Sequence, residues 1–485
     1  MIGSLFAERP LMSAYTFVSI PPAGIDQLLE LVGEASVISD GDKVDKLSKD
    51  FYWYSPLLRE SLKEKKASAV VKVTEPETLK QVIALAYREA WPITIRGGGT
   101  GNYGQCVPLC GGLVIDLSGM DQIHSIEEGV VRAQPGARLG KIETQAREQG
   151  YEFRCLPSTW VKSSLAGFLC GGSGGIGSIT WGGLANRDNV KSVTLLTVEE
   201  QPREITFRER DAILALHAYG TTGIMLEVEM RLAPKRTYRQ MIFASADWDA
   251  LLDWTDGIAR QVDIAKRLVT QFEHPIPGFF RPLKKYIPEG EHVTFLLVDE
   301  AQADAVLADA REHGFSCVYE RVLSDPLKPP YITDYTWNHG TLWAIKADPN
   351  YTYLQCGYGE NFREQFRILR ERFPDEIFQH IEWTAWQTGQ EGGEWLPPRP
   401  EDIRLGGLPK VYYKGRDRLL ELMQTCEDIG VSIANPHTFY LEEGGRHPDL
   451  EEKHAMKDRF DPRGLLNPGK MKTHGNNPFL EPATA

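Results

Sequence analysis

Residues 96–104 read Arg-Gly-Gly-Gly-Thr-Gly-Asn-Tyr-Gly and directly follow a short apolar strand. Glycine lets the backbone approach a ligand closely and turn its N–H groups towards an anion. A tight turn needs only one or two glycines, so five in nine residues favour a phosphate or pyrophosphate site. The stretch also matches G-x-G-x-x-G, but Pro108 and Gly111 arrive before the helix that a Rossmann dinucleotide unit requires. We therefore expect an anion-binding loop outside a Rossmann unit.

A second glycine-rich stretch occupies residues 163–183, SSLAGFLCGGSGGIGSITWGG. Seven of the thirteen residues from 171 to 183 are glycine, a density that disfavours a regular helix or strand. Twenty of the 45 glycines of the chain fall between residues 97 and 183. Two such loops in one region predict a long ligand that the protein holds at several points.

The surrounding sequence alternates between strand and helix patterns. An apolar strand at residues 69–73 leads to a helix, and Thr74 and Glu77 predict a capping box at its start. A second helix is predicted at 137–149, with Gly150 as its terminating glycine. Beyond residue 235, the stretch 236–430 holds seven of the eleven tryptophans and indicates a second α+β domain.

Composition narrows the classes of partner. The net charge of −13 disfavours binding to a phosphate backbone, so we expect no nucleic acid partner. No apolar run reaches 18 residues, which predicts no membrane span, and the N-terminus lacks the pattern of a signal peptide. Seven cysteines spread over 485 residues suit free thiols in a cytoplasmic protein better than a disulfide framework.

Six short motifs follow one another along the chain: RGGGTG at 96–101, IDLSGM at 115–120, AQPG at 133–136, SLAG at 164–167, GTTGIM at 220–225 and FDPRGLLNPGK at 460–470. In this order and spacing they resemble the FAD-binding domain of the vanillyl-alcohol oxidase and p-cresol methylhydroxylase superfamily, called PCMH-type. One departure is Ala166, which replaces the first glycine of the family's T-I-G-G motif.

The resemblance implies an α+β fold in which two subdomains hold FAD, an α+β cap covers the flavin, and the C-terminal segment returns to the FAD domain. On this basis we expect an N-terminal segment at 1–65, the FAD-binding domain at 66–235, the cap at 236–430, the returning segment at 431–475 and a tail at 476–485.

The same resemblance implies which residues bind FAD. The first loop would hold the pyrophosphate, the second the flavin and ribityl chain, residues 223–224 the adenosine half, and the C-terminal motif the polar edge of the flavin. The residues concerned are Arg96, Gly97, Gly98, Gly99, Thr100, Gly101, Asn102, Ser164, Gly167, Gly171, Gly172, Gly174, Gly177, Gly223, Ile224, Asn467 and Lys470. Thr100 stands where some relatives carry a flavin-linked histidine, so we expect non-covalent FAD, although a histidine or tyrosine of the cap remains an alternative attachment point.

Hydride transfer from an alcohol to flavin often needs a base for the hydroxyl proton. Two clusters offer one, at residues 335–339 and 435–440, and the candidate catalytic residues are His437, Tyr440 and His339. The 2-hydroxy-acid dehydrogenase branch often carries H-x-G-D-G-N-x-H as part of a metal site. Residues 433–445 read IANPHTFYLEEGG instead, so no metal is expected.

Aromatic residues of the predicted cap guide the choice of substrate. These are Trp337, Trp343, Trp383, Trp386, Tyr331, Tyr335, Tyr351 and Tyr353. They suit a flat apolar substrate, although ordinary core packing explains them equally well. The prediction is thus an FAD-dependent oxidoreductase acting on a small molecule, with an aromatic or benzylic alcohol or phenol preferred. The alternatives are a 2-hydroxy acid, a sugar alcohol, or a flavin subunit of an electron-transfer complex; a homo-oligomer or a redox partner subunit also stays open.

Overall fold

The loop at residues 96–104 follows a strand of a small, mostly parallel sheet in the computed structural model, which describes residues 15–186, 188–386, 396–445 and 449–480. The elements of this first lobe are α1 (Pro22–Val32), β1 (Val37–Ile38), α2 (Gly41–Leu47), α3 (Pro56–Leu62), β2 (Ala69–Lys72), α4 (Pro76–Arg88), β3 (Ile93–Arg96) and β4 (Leu113–Asp116). The spatial order is β1–β2–β4–β3, with β2, β4 and β3 parallel. The apolar sequences of β2 and β4 fit their burial, since parallel strands are covered on both faces.

A second lobe contains a six-stranded antiparallel sheet. Its elements are β5 (Ile123–Glu127), β6 (Val130–Ala133), α5 (Leu139–Glu148), β7 (Tyr151–Phe153), α6 (Leu165–Gly171), α7 (Ser178–Trp181), β8 (Val190–Leu196), β9 (Glu204–Arg208) and β10 (Ile224–Pro234). The long strand β10 is central, because it pairs with β6, β7 and β8. Both glycine-rich stretches meet where the two lobes face each other.

The helix ends test two of the sequence predictions. The capping box at Thr74 and Glu77 is wrong: α4 begins at Pro76 after Glu75, and no side chain caps it. Proline at the first helical position sets the start, since its fixed φ suits the helix and its missing N–H is not needed there. Gly150 does follow α5 with a positive φ of 84°, as a terminating glycine should.

The cap is built on an eight-stranded and a three-stranded sheet. Its elements are β11 (Tyr238–Ser245), α8 (Trp248–Arg260), β12 (Lys266–Phe272), β13 (His292–Asp299), α9 (Glu300–Glu312), β14 (Ser316–Val322), α10 (Trp337–Ala347), β15 (Tyr351–Tyr353), β16 (Cys356–Gly357), α11 (Phe362–Arg372), β17 (Ile377–Phe378), β18 (His380–Ala385), β19 (Ile403–Gly407), β20 (Lys410–Tyr412), α12 (Arg416–Asp428) and β21 (Ser432–Ile433). The larger sheet has the order β14–β11–β13–β12–β18–β19–β16–β21, and the smaller one β15–β20–β17. The class is α+β, as predicted.

The C-terminal segment leaves the cap after β21, forms α13 (Leu450–Phe460) and returns to the first lobe. Leu466 bridges to Ile93 of β3, and the backbone N–H of Asn467 donates to the carbonyl of Ile93 at 2.6 Å. Leu465 and Leu466 are buried in the same core as β2, β3 and β4. This return brings the motif at 460–470 directly behind the first glycine loop. No helix of the described residues is long and apolar enough to cross a membrane.

Candidate active site

A cavity of about 790 Å³ opens where the two lobes and the cap meet. One part, which we call the loop end, is lined by residues 96–101, by much of 164–174 and by 223–225. The other part, the cap end, is lined by Asp334, Trp337, Asn338, His339, Leu342 and Lys346, with Tyr103 and Lys162 facing them. A volume in this range is typical of a ligand or cofactor site.

The first loop lies against residues 162–164 with no room for side chains. A Cβ added to Gly98 would lie 2.7 Å from the carbonyl oxygen of Lys162, and one added to Gly97 would lie 2.2 Å from Ser164 Oγ. The Gly98 N–H donates to Ser164 Oγ at 3.1 Å, and Gly99 has a positive φ of 63°. The cavity wall at this point is therefore backbone, which is the cradle that a pyrophosphate requires.

Polar side chains tie the first loop to its surroundings. Thr100 Oγ1 lies 2.9 Å from Ser163 Oγ, and Asn102 Nδ2 donates to the Tyr353 hydroxyl of β15 at 2.6 Å. The next residue, Tyr103, donates its hydroxyl hydrogen to Gln355 Oε1. The loop that suits the cofactor is thus bonded directly to the cap.

Arg96 lines the cavity at the end of β3 but directs hydrogen bonds away from it. Its Nη1 donates to the carbonyl of Lys49 at 2.7 Å and lies 3.3 Å from Cys106 Sγ. A Cβ on Gly99 would lie 2.0 Å from Arg96 Nη2, so the guanidinium packs against the loop. It places a positive charge beside the anion cradle.

The second loop contributes Gly167, Gly171, Gly172 and Gly174 to the cavity wall. The prediction that this stretch forms no long helix holds, since α6 ends at Gly171 and α7 is a single turn. Gly177 is not among the lining residues. The N–H of Gly177 donates to the carbonyl of Arg267, on β12, at 2.7 Å. Its φ is 98°, so position 177 requires glycine for the turn that contacts β12.

Gly223 and Ile224 form the far wall of the loop end together with Leu117, Pro135 and Met225. A Cβ on Gly223 would lie 3.0 Å from the Phe460 ring, and the φ of Gly223 is 129°. This apolar pocket beside the backbone cradle has the character that an adenine ring needs. The shape of the loop end, a cradle flanked by an apolar pocket, fits the adenine dinucleotide half of FAD.

Asn467 and Lys470 do not line the cavity, contrary to the expected contact with the flavin edge. Asn467 Nδ2 donates to the carbonyls of Gln105 and Tyr219, and Lys470 Nζ donates to the carbonyl of Gly104. Both side chains therefore hold the loops of the cavity from behind. We call these two residues the C-terminal clamp.

Ionisable groups behind the first loop are deeply buried. Burial raises the pKa of Asp50 to about 6, although Lys470 and Arg96 oppose the shift. Burial also lowers the pKa of Lys470 to about 8, against the attraction of Asp50. The Asp50 carboxylate accepts the Tyr52 N–H at 2.9 Å, so it is held by backbone as well as by charge.

His339 lies on the first turn of α10 at the cap end. Burial lowers its pKa to about 4, and the positive charges of Lys346 and Lys162 lower it further. The imidazole is neutral at neutral pH and can accept a proton. Burial raises the pKa of the nearby Asp334 carboxyl to about 6.

The other two predicted catalytic residues lie outside the cavity wall. His437 is 2% exposed, and its Nδ1 lies 2.8 Å from Ser55 Oγ. Burial lowers its pKa to about 4. Tyr440 packs on Phe439, with its hydroxyl 3.4 Å from that of Tyr15. The chain at 436–441 is thus packed between α3 and the core of the first lobe, and neither side chain reaches the cavity.

The aromatic residues of the cap are mostly core. Of the eight that suggested an aromatic substrate, Trp337 lines the cavity and the other seven do not. Trp343, for example, stacks on Tyr335 at 5.5 Å, and Trp383 is 2% exposed. Within the described ranges, no group of three or more His, Cys, Asp or Glu side chains is placed to hold a metal ion.

Sequence reasoning missed Lys162, Lys346 and Tyr103 as cavity residues. Tyr103 belongs to the quoted loop and could have been found there. Lys346 is seven residues beyond His339 on α10, so both lie on one face of that helix. Lys162 comes from a distant part of the sequence, and only the packing of the second lobe against α10 brings its charge to His339.

Comparisons with known proteins agree with this geometry. A family model described as an FAD binding domain matches residues 67–205. The D-2-hydroxyglutarate dehydrogenase of Stutzerimonas stutzeri (strain A1501) is 24% identical over 500 residues, which cover 93% of this chain and 99% of that protein. The glycolate oxidase subunit GlcD of Escherichia coli (strain K12) is 25% identical over 430 residues, 83% of each chain.

The fold also matches solved structures. An alkyldihydroxyacetonephosphate synthase superposes with a TM-score of 0.67 over 96% of this chain and 89% of its own, at 14% identity. This likeness concerns the fold alone. Taken together, the family match, the relatives and the backbone cradle show an FAD-dependent enzyme, and they fit the PCMH-type superfamily of FAD-linked oxidoreductases.

Proposed function

We propose that the protein oxidises a small 2-hydroxy acid at the cap end of the cavity, with FAD in the loop end. The observation that carries the proposal is that Lys162 and Lys346 line the cap end together with the neutral His339, and that the positive charge of each lysine lowers the pKa of this histidine. A carboxylate placed between two ammonium groups forms charge-assisted hydrogen bonds, which are the stronger kind. The names of the two relatives described above, a 2-hydroxyglutarate dehydrogenase and a glycolate oxidase subunit, support the same substrate class.

The protein's own side chains supply anchoring and proton transfer. Lys162 and Lys346 bind the carboxylate and orient the hydroxyl-bearing carbon. His339, whose pKa burial and its positive neighbours lower to about 4, is neutral at neutral pH and is the side chain of the cap end placed to accept the hydroxyl proton. Bound FAD would supply the hydride acceptor for that carbon, so the product would be a 2-oxo acid. Asn102 donates a hydrogen bond to Tyr353, and Tyr103 donates one to Gln355. These two bonds hold the first loop against the cap.

This proposal replaces the preference for an aromatic alcohol. That preference rested on eight aromatic residues of the cap, of which only Trp337 lines the cavity. The charged groups at the cap end favour an anionic substrate: both lysine side chains are solvent-exposed, and the Nζ of Lys346 lies 5.2 Å from the centroid of the Trp343 ring. An uncharged benzylic alcohol would form no ion pair with either lysine.

The test is anaerobic titration of the FAD-loaded protein with a panel of alcohols. Glycolate, D-lactate, L-lactate and D-2-hydroxyglutarate are compared with benzyl alcohol and vanillyl alcohol, and bleaching of the visible flavin absorbance is followed. At least one hydroxy acid is expected to bleach the flavin, and the neutral alcohols are not. Bleaching by the aromatic alcohols alone would contradict the proposal.

The electron acceptor is a separate question. The relative from Escherichia coli is named as a subunit, which supports a partner protein that takes electrons from the reduced flavin. Anaerobic reduction measures the first half-reaction without any acceptor. Slow turnover of the isolated chain with oxygen and a dye, together with fast anaerobic bleaching, would favour such a partner.

A further inference from the structure

Three ionisable side chains form a hydrogen-bonded row beneath the cap end of the cavity. Lys410 Nζ lies 2.9 Å from His380 Nδ1, and His380 Nε2 lies 2.9 Å from Glu382 Oε1. All three side chains are at most 1% exposed, and none lines the cavity. We call them the buried row. The mechanism proposed above does not use them.

The hydrogen-bond pattern of the buried row is consistent from end to end. The Lys410 amino group donates to the carbonyl of Leu408 and to His380 Nδ1, and His380 Nε2–H then donates to Glu382 Oε1. Burial lowers the pKa of Lys410 and raises that of Glu382 to about 8, so it disfavours the charged form of both groups. Such buried rows are a weak source of stability, because desolvation offsets the attraction. Their role is better sought in what they hold in place.

Glu382 holds the start of α10. Its Oε1 accepts the backbone N–H of Trp337, the first residue of the helix, at 2.7 Å. The N-cap residue Thr336 provides no side-chain cap, since its hydroxyl donates to the carbonyl of Thr333 instead. The carboxyl group of Glu382, on β18, thus takes the place of the missing cap.

The first turn of α10 needs such a restraint. Trp337 has a φ of +50°, in the left-handed region that a bulky residue avoids unless its surroundings impose it. One turn further, a Cβ added to Gly340 would lie 3.3 Å from the His380 ring, so the helix rests directly on the imidazole. This same turn carries Trp337, Asn338 and His339 into the cavity wall.

We propose that Lys410, His380 and Glu382 are positioning residues that fix the first turn of α10 and thereby the placement of His339 and Lys346 at the cap end. They act through the Trp337 N–H and the contact of Gly340 with His380, and they exchange no proton with the substrate. The proposal rests on the assignment of α10 to substrate binding made above, so one readout of its test is independent of any substrate.

The experiment uses the full-length, FAD-loaded protein labelled with 5-fluorotryptophan, in which the Trp337 fluorine resonance is assigned with the Trp337→Phe variant. Glu382→Gln replaces the carboxyl group by an amide of nearly the same volume. The double variant Lys410→Met with Glu382→Leu replaces both ionisable groups by apolar ones, and it keeps the test decisive if Glu382→Gln fails to fold. Glu273→Gln is the matched control, because Glu273 is also buried in the cap and accepts a backbone N–H, that of Gln379, but does not contact α10.

We expect the Trp337 resonance to shift or broaden in both test variants and to stay unchanged in Glu273→Gln. With the hydroxy acid that bleaches the wild-type flavin best, KM should rise at least tenfold in the test variants, and kcat should fall as well because the displaced turn carries His339. An unchanged Trp337 resonance would overturn the proposal, and so would a shifted resonance with an unchanged KM. If no hydroxy acid bleaches the flavin, the proposed function fails, and the resonance alone decides whether the buried row positions α10.

Discussion

The loop end and the cap end of the cavity are built from different parts of the chain. At the loop end the wall is the backbone of Gly97, Gly98 and Gly99. These positions require glycine, because an added Cβ would collide with Ser164, Lys162 or Arg96. At the cap end the wall is side chains, among them the ionisable groups of Lys162, His339 and Lys346. A backbone cradle binds what all members of a superfamily share, whereas side chains can be exchanged without changing the fold. We therefore expect the loop end to determine cofactor binding and the cap end to determine the choice of substrate. The following predictions test this division.

The largest effect is expected from Gly98→Ala. The new Cβ would lie 2.7 Å from the carbonyl oxygen of Lys162 and 3.1 Å from the backbone nitrogen of Ser164, neither of which can rotate away. We expect FAD affinity to fall by more than about 100-fold, since the cradle must open. The dissociation constant for FAD, measured by flavin fluorescence, checks this. Gly257→Ala is the control, because nothing lies within 4 Å of its added Cβ. An unchanged FAD affinity in Gly98→Ala would contradict the claim that the first loop binds FAD through its backbone.

The second effect contrasts two histidines. His339→Asn should lower the rate constant of anaerobic flavin reduction by about 10²–10⁴, the usual contribution of a general base. His437→Asn should change it by less than threefold, because His437 is bonded to Ser55 away from the cavity. Stopped-flow measurement of flavin bleaching compares the two, with FAD affinity unchanged in both. The opposite ranking would restore His437 as the base.

The third effect concerns charge at the cap end. Lys346→Met and Lys162→Met should each raise KM for the hydroxy acid by roughly tenfold or more, since a hydrogen bond to a charged group contributes about 1.5–3 kcal/mol. FAD affinity should stay within about threefold of wild type in Lys346→Met. The exposed Lys284→Met serves as the control for loss of one positive charge. Unchanged KM values in both test variants would show that neither lysine binds the substrate.

A smaller effect is expected from the C-terminal clamp. Asn467→Ala frees the carbonyls of Gln105 and Tyr219, and Lys470→Met frees that of Gly104. Both should weaken FAD binding by about tenfold, in line with the loss of one or two buried hydrogen bonds, and leave KM for the substrate unchanged. Lys472→Met, on the surface beside Glu443, is the matched control. If KM for the substrate changed and FAD affinity did not, the clamp would support the cap end and not the loop end, which would contradict this prediction.

The smallest effect is on stability and pH. The pKa of His437 is about 4 in the folded protein against 6.5 for a free histidine, because burial disfavours the charged form. The neutral ring therefore contributes stability above pH 6.5, and that contribution is lost as the pH falls from 6.5 towards 4, by on the order of 3 kcal/mol at most. His437→Asn should flatten the stability curve over this range, as measured by urea unfolding. The exposed His313→Asn should leave the slope as it is in the wild type; an equal slope in His437→Asn would contradict the burial argument.

The two ends also differ in how much of them could be predicted from sequence. The loop end could be predicted because its chemistry requires glycine, and glycine at residues 97–101 and 171–174 is visible without a structure. The cap end could be predicted only in part: the cluster at 335–339 indicates His339, whereas Lys162 comes near it only through packing of the second lobe on α10. His437 is one of the three catalytic residues that the sequence suggests, because it stands close to the segment that returns to the FAD domain. That segment does return, but it places Asn467 and Lys470 behind the loop and His437 against Ser55.

The central claim, that an anion anchored at the cap end delivers its hydride to FAD, is tested most directly with a matched pair of substrates. A 2-hydroxy acid that bleaches the flavin is compared with its own primary amide, which keeps the hydroxyl-bearing carbon and loses the carboxylate. Anaerobic stopped-flow should give fast bleaching with the acid and at least about tenfold weaker apparent binding of the amide, since the charge-assisted bonds to Lys162 and Lys346 are lost. Equal binding and equal bleaching rates for acid and amide would contradict the claim.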